Sequence, residues 1–336
     1  MVERDTQNTD TLANNIDNSS QDNALPLVIV NPRSASGSTR DNWSMTSSEL
    51  RAHFGPFSVA FTRAPGHAVE LAERAASSGR GFIIACGGDG TVNEVANGII
   101  DSGVDAELGI LPSGTGGDFR RTIGMPRSNR EAAARLRTGK TKTIDAGKVT
   151  FSDHLGKTVS RYFLNVASVG LAAEVIKRVK SATAFDWLPV ESIRGKANFA
   201  FSTLREVIDP EPRLVRVRID NGEERTLQSL AFCVANSRYF GGGMKIAPDA
   251  KITDGLLDIV NIGDISTARI LLNAYSIYRG THGSLREVKG AQAKMIEISS
   301  ADQFGTILLE TDGELPGRLP AKFEVVPNAI RIRVPR

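Results

Sequence analysis

After residue 25, short apolar runs alternate along the chain with stretches in which apolar residues recur every three or four positions. The apolar runs cover 26–30, 58–62, 81–86 and 107–111, and the helix-like stretches between them cover 69–76 and 92–100. The runs have the length of buried strands and the stretches have the spacing of amphipathic helices. This alternation predicts an open α/β domain with parallel strands, whose strand-ending loops share one edge of the sheet.

The pattern changes after about residue 145, where apolar and polar residues alternate one by one. Residues 215–219 show this period of two, and it returns at 330–334 near the end of the chain. Such alternation predicts antiparallel strands with one buried and one solvated face. Helix-like stretches at 171–180 and 267–278 interrupt the strands. The second half is therefore predicted to be a β-rich domain.

We predict three parts: a tail over 1–24, an α/β domain over 25–145 and a β-rich domain over 146–336. The tail is rich in Asn, Asp, Ser and Thr and lacks the apolar core of a signal peptide, so we expect it to be disordered. No run of apolar residues approaches the roughly 18 that a membrane-spanning helix needs.

Composition narrows the function classes only a little. The chain has 336 residues, of which 40% are hydrophobic and 24% charged, and its net charge is +3. These values are ordinary for a globular protein, and so weak a charge does not favour nucleic-acid binding. Cys86 and Cys233 lie in apolar runs and are expected to be buried, reduced thiols, which fits a cytoplasmic setting. The four histidines are scattered, so no zinc site is expected.

The strongest chemical signal follows the third strand, where Gly87, Gly88, Asp89, Gly90 and Thr91 join the strand to a helix. Glycines allow backbone N–H groups to approach phosphate oxygens, and the helix N-terminus adds positive dipole. A carboxylate among such groups suggests a Mg²⁺ ligand or a base. The alternative is a glycine-rich turn in which Asp89 and Thr91 only cap the helix.

Three further loops end on the same predicted edge. The fourth strand runs into the glycine-rich segment 112–118, which ends in Asp118 and can share phosphates and Mg²⁺ with Asp89. Asn31 and Arg33 follow the first strand, where they either approach an anion or only form a turn. Thr62 ends the second strand. Together these loops predict an anion site.

Two acidic segments lie far downstream. Residues 310–314 (Glu-Thr-Asp-Gly-Glu) end an apolar strand with three acids, which are either site residues or solvated carboxylates. Residues 248–258 place Asp254 in a turn before a strand, as in a cation site or a plain hairpin. The signature loops of P-loop, dinucleotide-binding and α/β-hydrolase enzymes are absent from the sequence, which disfavours those classes.

Together, these motifs resemble the diacylglycerol kinase catalytic family, which includes soluble bacterial lipid kinases and the sphingosine and ceramide kinases. The resemblance spans about residues 27–334, with the motifs in the family's order. It implies an N-terminal α/β domain like those of NAD kinases and phosphofructokinases, a C-terminal β-sandwich, and an active site between them. It also implies transfer of the γ-phosphoryl group of ATP to a lipid alcohol, of diacylglycerol type. Since the thiols fit a cytoplasmic setting and no spanning helix is predicted, any contact with a membrane is expected to be peripheral.

The same resemblance implies roles for individual residues. It makes Glu314 the general base and Asp89 essential, and it implies a structural Mg²⁺ at Lys251, Asp254 and Leu256, held by Asp254 and two main-chain carbonyls. The implied ATP contacts are Asn31, Thr62, Gly87, Gly88, Asp89, Gly90, Thr91, Asn93, Thr115 and Asp118. In one departure, Gly117 precedes Asp118 where the family usually has Asn.

Several alternatives stay open from the sequence. The acceptor is also compatible with a sphingoid base or ceramide, and the fold with an NAD kinase-like enzyme or a non-catalytic nucleotide- or lipid-binding regulator. The basic stretch 177–180, followed by Phe185, Trp187 and Leu188, suits docking on an anionic bilayer or forms a solvated helix face. Oligomeric state is not indicated.

Overall fold

The computed structural model describes residues 25–113, 116–181, 211–302 and 306–336. The predicted tail over 1–24 and most of the proposed basic docking segment lie outside the described residues. Cys86 and Cys233 are both buried and unpaired, as expected.

The first half of the chain is an α/β layer built on a parallel sheet. Its strands are β1 (Leu27–Val30), β2 (Ser58–Phe61), β3 (Phe82–Gly87) and β4 (Glu107–Pro112). Its helices are α1 (Ser38–Asp41), α2 (Trp43–Phe54), α3 (His67–Ser77), α4 (Asp89–Ser102), α5 (Asp118–Thr122) and α6 (Asn129–Thr138), with a 3-10 turn at Ser34–Gly37. The strands pair in parallel, as predicted, and their order is β2-β1-β3-β4. Apolar clusters on both faces bury the sheet, with α3 and α4 on one face and α2 and α6 on the other.

The buried face of α3 is made of alanines, among them Ala68, Ala72 and Ala76. Small side chains allow α4 to pack closely, and Gly98 marks the point of nearest approach. A Cβ on Gly98 would lie 2.3 Å from the carbonyl oxygen of Val69 in α3. The position of α4, and of the loop before it, therefore depends on this helix contact.

The second half is β-rich, with antiparallel pairing between its own strands. The strands are β5 (Lys140–Asp153), β6 (Thr158–Phe163), β7 (Val166–Gly170), β8 (Arg213–Ile219), β9 (Arg225–Ser229), β10 (Ala231–Ala235), β11 (Leu257–Ile262), β12 (Val288–Ala293), β13 (Met295–Ser300), β14 (Leu308–Thr311) and β15 (Glu314–Val334). The helices are α7 (Leu171–Ser181) and α8 (Thr267–Arg279), with a 3-10 turn at His282–Ser284. The predicted alternation over 215–219 is confirmed, because Val215 and Val217 are buried while Arg216 and Arg218 are exposed.

These strands form a sandwich. One layer has the order β12-β11-β10-β7-β14, the other contains β9, β8, β13, β15, β5 and β6, and the pairing of β14 with β15 joins the two layers into one continuous sheet. A single apolar cluster lies between the layers and includes the fully buried rings of Phe163, Phe232 and Phe323. The predicted combination of a parallel α/β domain and a β-sandwich is therefore confirmed.

Strand β15 connects the two halves. It spans 21 residues, and residues near its C-terminal end pair in parallel with β4, which places Arg331 beside Glu107. Near that pairing, Arg333 forms an ion pair with the buried carboxylate of Glu107 and lies 4.7 Å over the ring of Phe82. Strand β5 starts at Lys140 and runs through residue 145, where the boundary was predicted.

Candidate active site

The loop between β3 and α4 forms the centre of the site. Gly88 is extended, with φ −85° and ψ −175°, and the helix begins at Asp89. A Cβ on Gly87 would lie 2.4 Å from Thr91 Oγ1, so a larger residue would clash there. The Asn31 amide donates to Thr91 Oγ1 at 3.0 Å, which joins the loop after β1 to this one. The positive end of the 14-residue helix α4 is thus framed by two strand-ending loops.

The Asp89 carboxylate points towards the loop after β4. It accepts hydrogen bonds from the backbone N–H groups of Asp118 (3.1 Å) and Phe119 (3.2 Å) at the start of α5. A Cβ on Gly116 would lie 2.9 Å from Asp89 Oδ2, which explains a small residue at that position. Asp89 therefore caps α5 rather than its own helix, and it holds the two glycine-rich loops together.

Asp118 connects this loop to the β-rich half. Its Oδ2 accepts a hydrogen bond from the Gly242 N–H at 2.8 Å, and its Oδ1 forms an ion pair with Arg121 at 2.7 Å. Burial raises the pKa of the Asp118 carboxyl, the Gly242 N–H opposes the rise, and nearby Asp89 adds to it. The side chain thus ties a glycine turn of the β-sandwich to the second loop.

The backbone conformation of residue 117 is compatible with glycine in place of the family's usual asparagine. The backbone of Gly117 is left-handed, with φ 66° and ψ 44°. Glycine adopts this conformation readily and asparagine is the residue that tolerates it next best. The backbone requirement is therefore met, although no amide side chain is present. Thr115, a predicted nucleotide contact, lies outside the described residues.

Glu314, the first residue of β15, reaches the start of α4 from the other half of the chain. A Cβ placed on Gly90 would lie 3.9 Å from Glu314 Oε1. The other oxygen, Oε2, accepts a hydrogen bond from Arg161 Nη1 at 2.7 Å. Both side chains are partly exposed, Glu314 by 39% and Arg161 by 33%. The structure thus brings Glu314 beside the glycine loop that contains Asp89.

A shallow groove opens beside the Glu314–Arg161 pair. Its volume is about 400 Å³, and it is lined by Phe151, Val159, Ser160, Arg161, Glu314 and Pro316. The apolar part of the lining comes from Phe151, Val159 and Pro316, and the polar part from Ser160, Arg161 and Glu314. An acceptor with an apolar body and a polar end would suit this combination.

Asp312 is fixed in a left-handed turn, with φ 46°, two residues before Glu314. Its carboxylate accepts hydrogen bonds from Asn93 Nδ2 (2.7 Å) and from the backbone N–H groups of Leu164 (2.8 Å), Asn165 (2.9 Å) and Val166 (3.1 Å). Asn93, a predicted nucleotide contact, also donates to the Tyr162 carbonyl. Asn93 and Asp312 thus join α4 to the β-sandwich.

Glu310 lies behind the same turn and is buried. It accepts hydrogen bonds from the Ser168 hydroxyl and from the Gly313 N–H, the latter at 2.7 Å. Burial raises the pKa of Glu310 to about 7, and the negative charge of Asp312 contributes. The left-handed Gly313, with φ 89°, is therefore supported from beneath by a carboxyl group.

The loop after β2 reaches the same edge of the sheet. Thr62 is half-buried there, and its N–H donates to the Val30 carbonyl at 2.9 Å. The Glu94 carboxylate, on α4, accepts from the backbone N–H groups of Gly66 (2.9 Å) and Ala68 (3.1 Å). This contact positions the Thr62 loop relative to the glycine loop.

The predicted metal loop lies before β11. Asp254 is exposed there, and its Oδ1 accepts from the Leu256 N–H at 3.2 Å. The loop is anchored to Asp145 in β5, which accepts from the Gly255 N–H at 2.8 Å. Burial raises the pKa of Asp258 nearby, and Asp254 raises it further. Lys251 is exposed at the start of the loop.

Within the described ranges, no three His, Cys, Asp or Glu side chains are grouped closely enough to hold a metal ion. A cation here would therefore also need main-chain carbonyls, water or phosphate oxygens. In the same part of the chain, none of the helices has both the length and the apolarity required to cross a bilayer.

The sequence predicts no role for four residues of the site: Arg161, Gly242, Glu94 and Glu310, although Glu94 and Glu310 stand within two of the motifs. Arg161 lies on the same face of β6 as Val159 and the buried Phe163, and the strand pattern does not indicate a partner for it. Gly242 and Glu94 act through contacts between residues distant in sequence. No local pattern signals such contacts.

Comparison with known proteins agrees with this geometry. Residues 26–149 match the diacylglycerol kinase catalytic domain, and residues 165–334 match the YegS C-terminal NAD kinase beta sandwich-like domain. A diacylglycerol kinase from Mycobacterium tuberculosis is 32% identical over 79% of this chain and 81% of its own length. The diacylglycerol kinase of Bacillus subtilis is 26% identical over 92% and 96%.

A crystal structure from Bacillus anthracis, described as a diacylglycerol kinase, superposes with a TM-score of 0.72 at 25% identity, covering 92% of this chain and 95% of that one. Both domain matches occur in the order that the fold requires. The chain therefore belongs to the diacylglycerol kinase catalytic-domain family.

Proposed function

We propose that this chain is an ATP-dependent lipid kinase that transfers the γ-phosphoryl group of ATP to a lipid hydroxyl, with a diacylglycerol-type alcohol as acceptor. The observation that carries the proposal is the position of Glu314, whose carboxylate lies beside Gly90 at the positive end of α4. A phosphate-binding helix end and a candidate base from a remote strand meet there. The relatives described as diacylglycerol kinases support the same activity.

The nucleotide phosphates would lie against the start of α4, where backbone N–H groups and the helix dipole favour anions. The proposed contacts are Asn31, Thr62, Gly87, Gly88, Asp89, Gly90, Thr91, Asn93, Thr115 and Asp118. Asn93 would act through Asp312, because its amide nitrogen is already engaged there. Asp89 and Asp118 would act chiefly by holding the two loops in place.

When bound with ATP, Mg²⁺ would neutralise charge on the phosphates. Such an ion keeps several waters and takes ligands from the phosphates, so one or two carboxylates suffice. Asp89 and Asp118 supply hard oxygen donors of the required kind. A second, structural ion is proposed at the Lys251 and Leu256 carbonyls and the exposed Asp254 carboxylate, whose oxygen donors suit Mg²⁺.

Glu314 would accept the proton of the acceptor hydroxyl as that oxygen bonds to the γ-phosphorus, while the bond from the γ-phosphorus to the oxygen of the β-phosphate breaks and ADP leaves. Arg161 fixes one carboxylate oxygen at 2.7 Å, which leaves Oε1 facing Gly90. The groove bounded by Phe151, Val159 and Pro316 would receive the apolar body of the acceptor next to its hydroxyl. Removal of such a base typically reduces the rate by about 10² to 10⁴.

We also propose that the two parts divide the work, with 25–145 binding the nucleotide and 146–336 binding the acceptor. The contacts of Asp312 with Asn93 and of Asp118 with Gly242 hold the two parts in one arrangement. The Asn93, Asp312 and Asp118 side chains that make these contacts lie beside the candidate site.

Incubation of the protein with labelled ATP, Mg²⁺ and a total lipid extract tests the function. We expect label in a phosphorylated lipid, which mass spectrometry would identify as phosphatidic acid for a diacylglycerol acceptor. A phosphorylated sphingoid base or ceramide would instead indicate a sphingoid-base or ceramide kinase of the same family. Label on NAD in a parallel reaction would favour an NAD kinase, and no transfer to any lipid would favour a binding protein.

A further inference from the structure

Helix α8 presents large apolar side chains to solvent. Leu271 is 50% exposed, Leu272 85%, Tyr275 71% and Tyr278 47%. Their spacing of one, four and seven residues places them on one face of the helix. Four of the ten large hydrophobic residues with high exposure in the described chain therefore lie in a single stripe.

The face of α8 turned towards the protein is mixed, because Ile277 packs against a buried apolar cluster while the residues around it are polar. Arg269 forms an ion pair at 3.2 Å with Glu287, whose side chain is only 8% exposed. Asn273 and Ser276 are half-buried and bond to carbonyls of their own helix. No residue of α8 is buried. A surface helix without a binding partner normally turns its large apolar side chains towards the protein core, whereas those of α8 are mostly on the solvent side.

We propose that the outward stripe of α8 docks the protein on an anionic bilayer. With about 200 Å² for a fully exposed side chain of this size, the four residues expose on the order of 500 Å². A stable protein–protein interface buries roughly 800 Å² per partner, so the stripe is small for a dimer. Tyrosine rings with a polar tip are typical of the membrane interface.

Charge on the helix favours a bilayer that carries negative headgroups. The sequence of α8 contains two arginines and no acidic residue. Arg279, at its C-terminal end, is exposed and has no ion pair within the described residues. Basic side chains beside an apolar helix face attract anionic lipids.

The position of α8 relates the stripe to the candidate site. The Lys245 N–H donates to the Ile277 carbonyl of α8 at 2.9 Å. The preceding turn of the same loop contains Gly242, which donates to Asp118. A bilayer that contacts α8 would thus lie one loop away from the proposed nucleotide site. The proposed role of this docking, access to a lipid acceptor, rests on the proposed lipid-kinase function. Binding to the bilayer does not itself require turnover.

Vesicle sedimentation with the full-length chain tests the proposal. The vesicles are phosphatidylcholine alone or phosphatidylcholine with about one third phosphatidylglycerol. We expect the wild type to bind the anionic vesicles more strongly and the Leu272→Ser/Tyr275→Ser variant to bind them at least about tenfold more weakly. Leu155→Ser removes an apolar residue that is 93% exposed in the β5–β6 turn, and it should bind like the wild type.

Equal vesicle binding by the double variant and the wild type would overturn the proposal. So would light scattering that shows a wild-type dimer, dispersed by the double variant without any change in vesicle binding. Kinetics separate docking from function: the double variant should keep wild-type turnover with a detergent-dispersed acceptor and lose it with a vesicle-embedded one. Vesicle binding that depends on α8 while no lipid is phosphorylated would support docking and refute the kinase proposal.

Discussion

Replacing Gly98 by alanine adds one methyl group where α3 and α4 make their closest contact. The new Cβ would lie 2.3 Å from the Val69 carbonyl oxygen, 2.8 Å from Ala72 Cβ and 2.9 Å from the Glu73 backbone nitrogen. Two of these three atoms belong to the backbone of α3, so no side-chain rotation can relieve the clash. The helices must separate by a substantial fraction of an ångström.

Two opposing effects determine how much Gly98→Ala changes the free energy of unfolding. Alanine in a helix interior is favoured over glycine by about 1 kcal/mol. Overpacking of a tight contact costs about 1 to 3 kcal/mol, and the cost is higher when backbone must move. Because the clash involves backbone atoms, the cost should be at the upper end of this range, about 3 kcal/mol, and we expect Gly98→Ala to lower the free energy of unfolding by about 2 kcal/mol. Because α4 begins at the glycine loop, ATP affinity should also fall.

Urea unfolding monitored by circular dichroism measures the stability change. Gly81→Ala is a matched control, since a Cβ there meets nothing within 4 Å. Gly81→Ala should unfold at nearly the wild-type urea concentration. A Gly98→Ala protein as stable as the wild type would show that α3 and α4 can separate freely, which would refute the packing argument.

Other predictions concern charged groups. The folded-state pKa of Glu310 is raised from 4.5 to about 7, so wild-type stability should fall as the pH rises through that window. Glu310→Gln should make this fall smaller, because Asp312, whose pKa burial raises to about 6, contributes the remainder. The variant should be more stable than the wild type at pH 8 by on the order of 3 kcal/mol in thermal melts, and an unchanged pH slope would contradict this. Arg161→Ala should lower kcat with little change in ATP affinity, and Arg161→Lys should restore part of kcat if Arg161 positions Glu314. Arg333→Met leaves the buried charge of Glu107 unpaired and should cost about 3 kcal/mol in urea unfolding, whereas Arg331→Met, at an exposed ion pair, should cost less than about 1 kcal/mol.

The parallel strands could be predicted because each is a short, continuous apolar run bounded by glycine or a polar turn. The observed strand Leu27–Val30 differs from the predicted run by one residue at its start, and Phe82–Gly87 is shifted by one. Period-two alternation likewise indicated β8, whose arginines face solvent. Burial on one or both faces is a local property, so a local pattern reveals it.

Non-local contacts could not be predicted from the same patterns. Strand β15 leaves the sandwich to pair with β4, which depends on the geometry of the whole sheet. Similarly, Asp89 was recognised as unusual, but its partners in α5 follow from how two loops approach each other. Glu310 reads as an exposed loop acid in sequence, yet Ser168 and the Gly313 N–H hold it in the interior.

The central claim is that Glu314 removes the proton from the acceptor hydroxyl beside the nucleotide. The most direct measurement compares Glu314→Gln with the wild type for both lipid phosphorylation and ATP binding. Glutamine preserves the size of the side chain but cannot serve as a base. We predict a loss of turnover of about 10² to 10⁴, with ATP affinity unchanged within a few fold. A Glu314→Gln protein that phosphorylates lipid at the wild-type rate would contradict this account of the site.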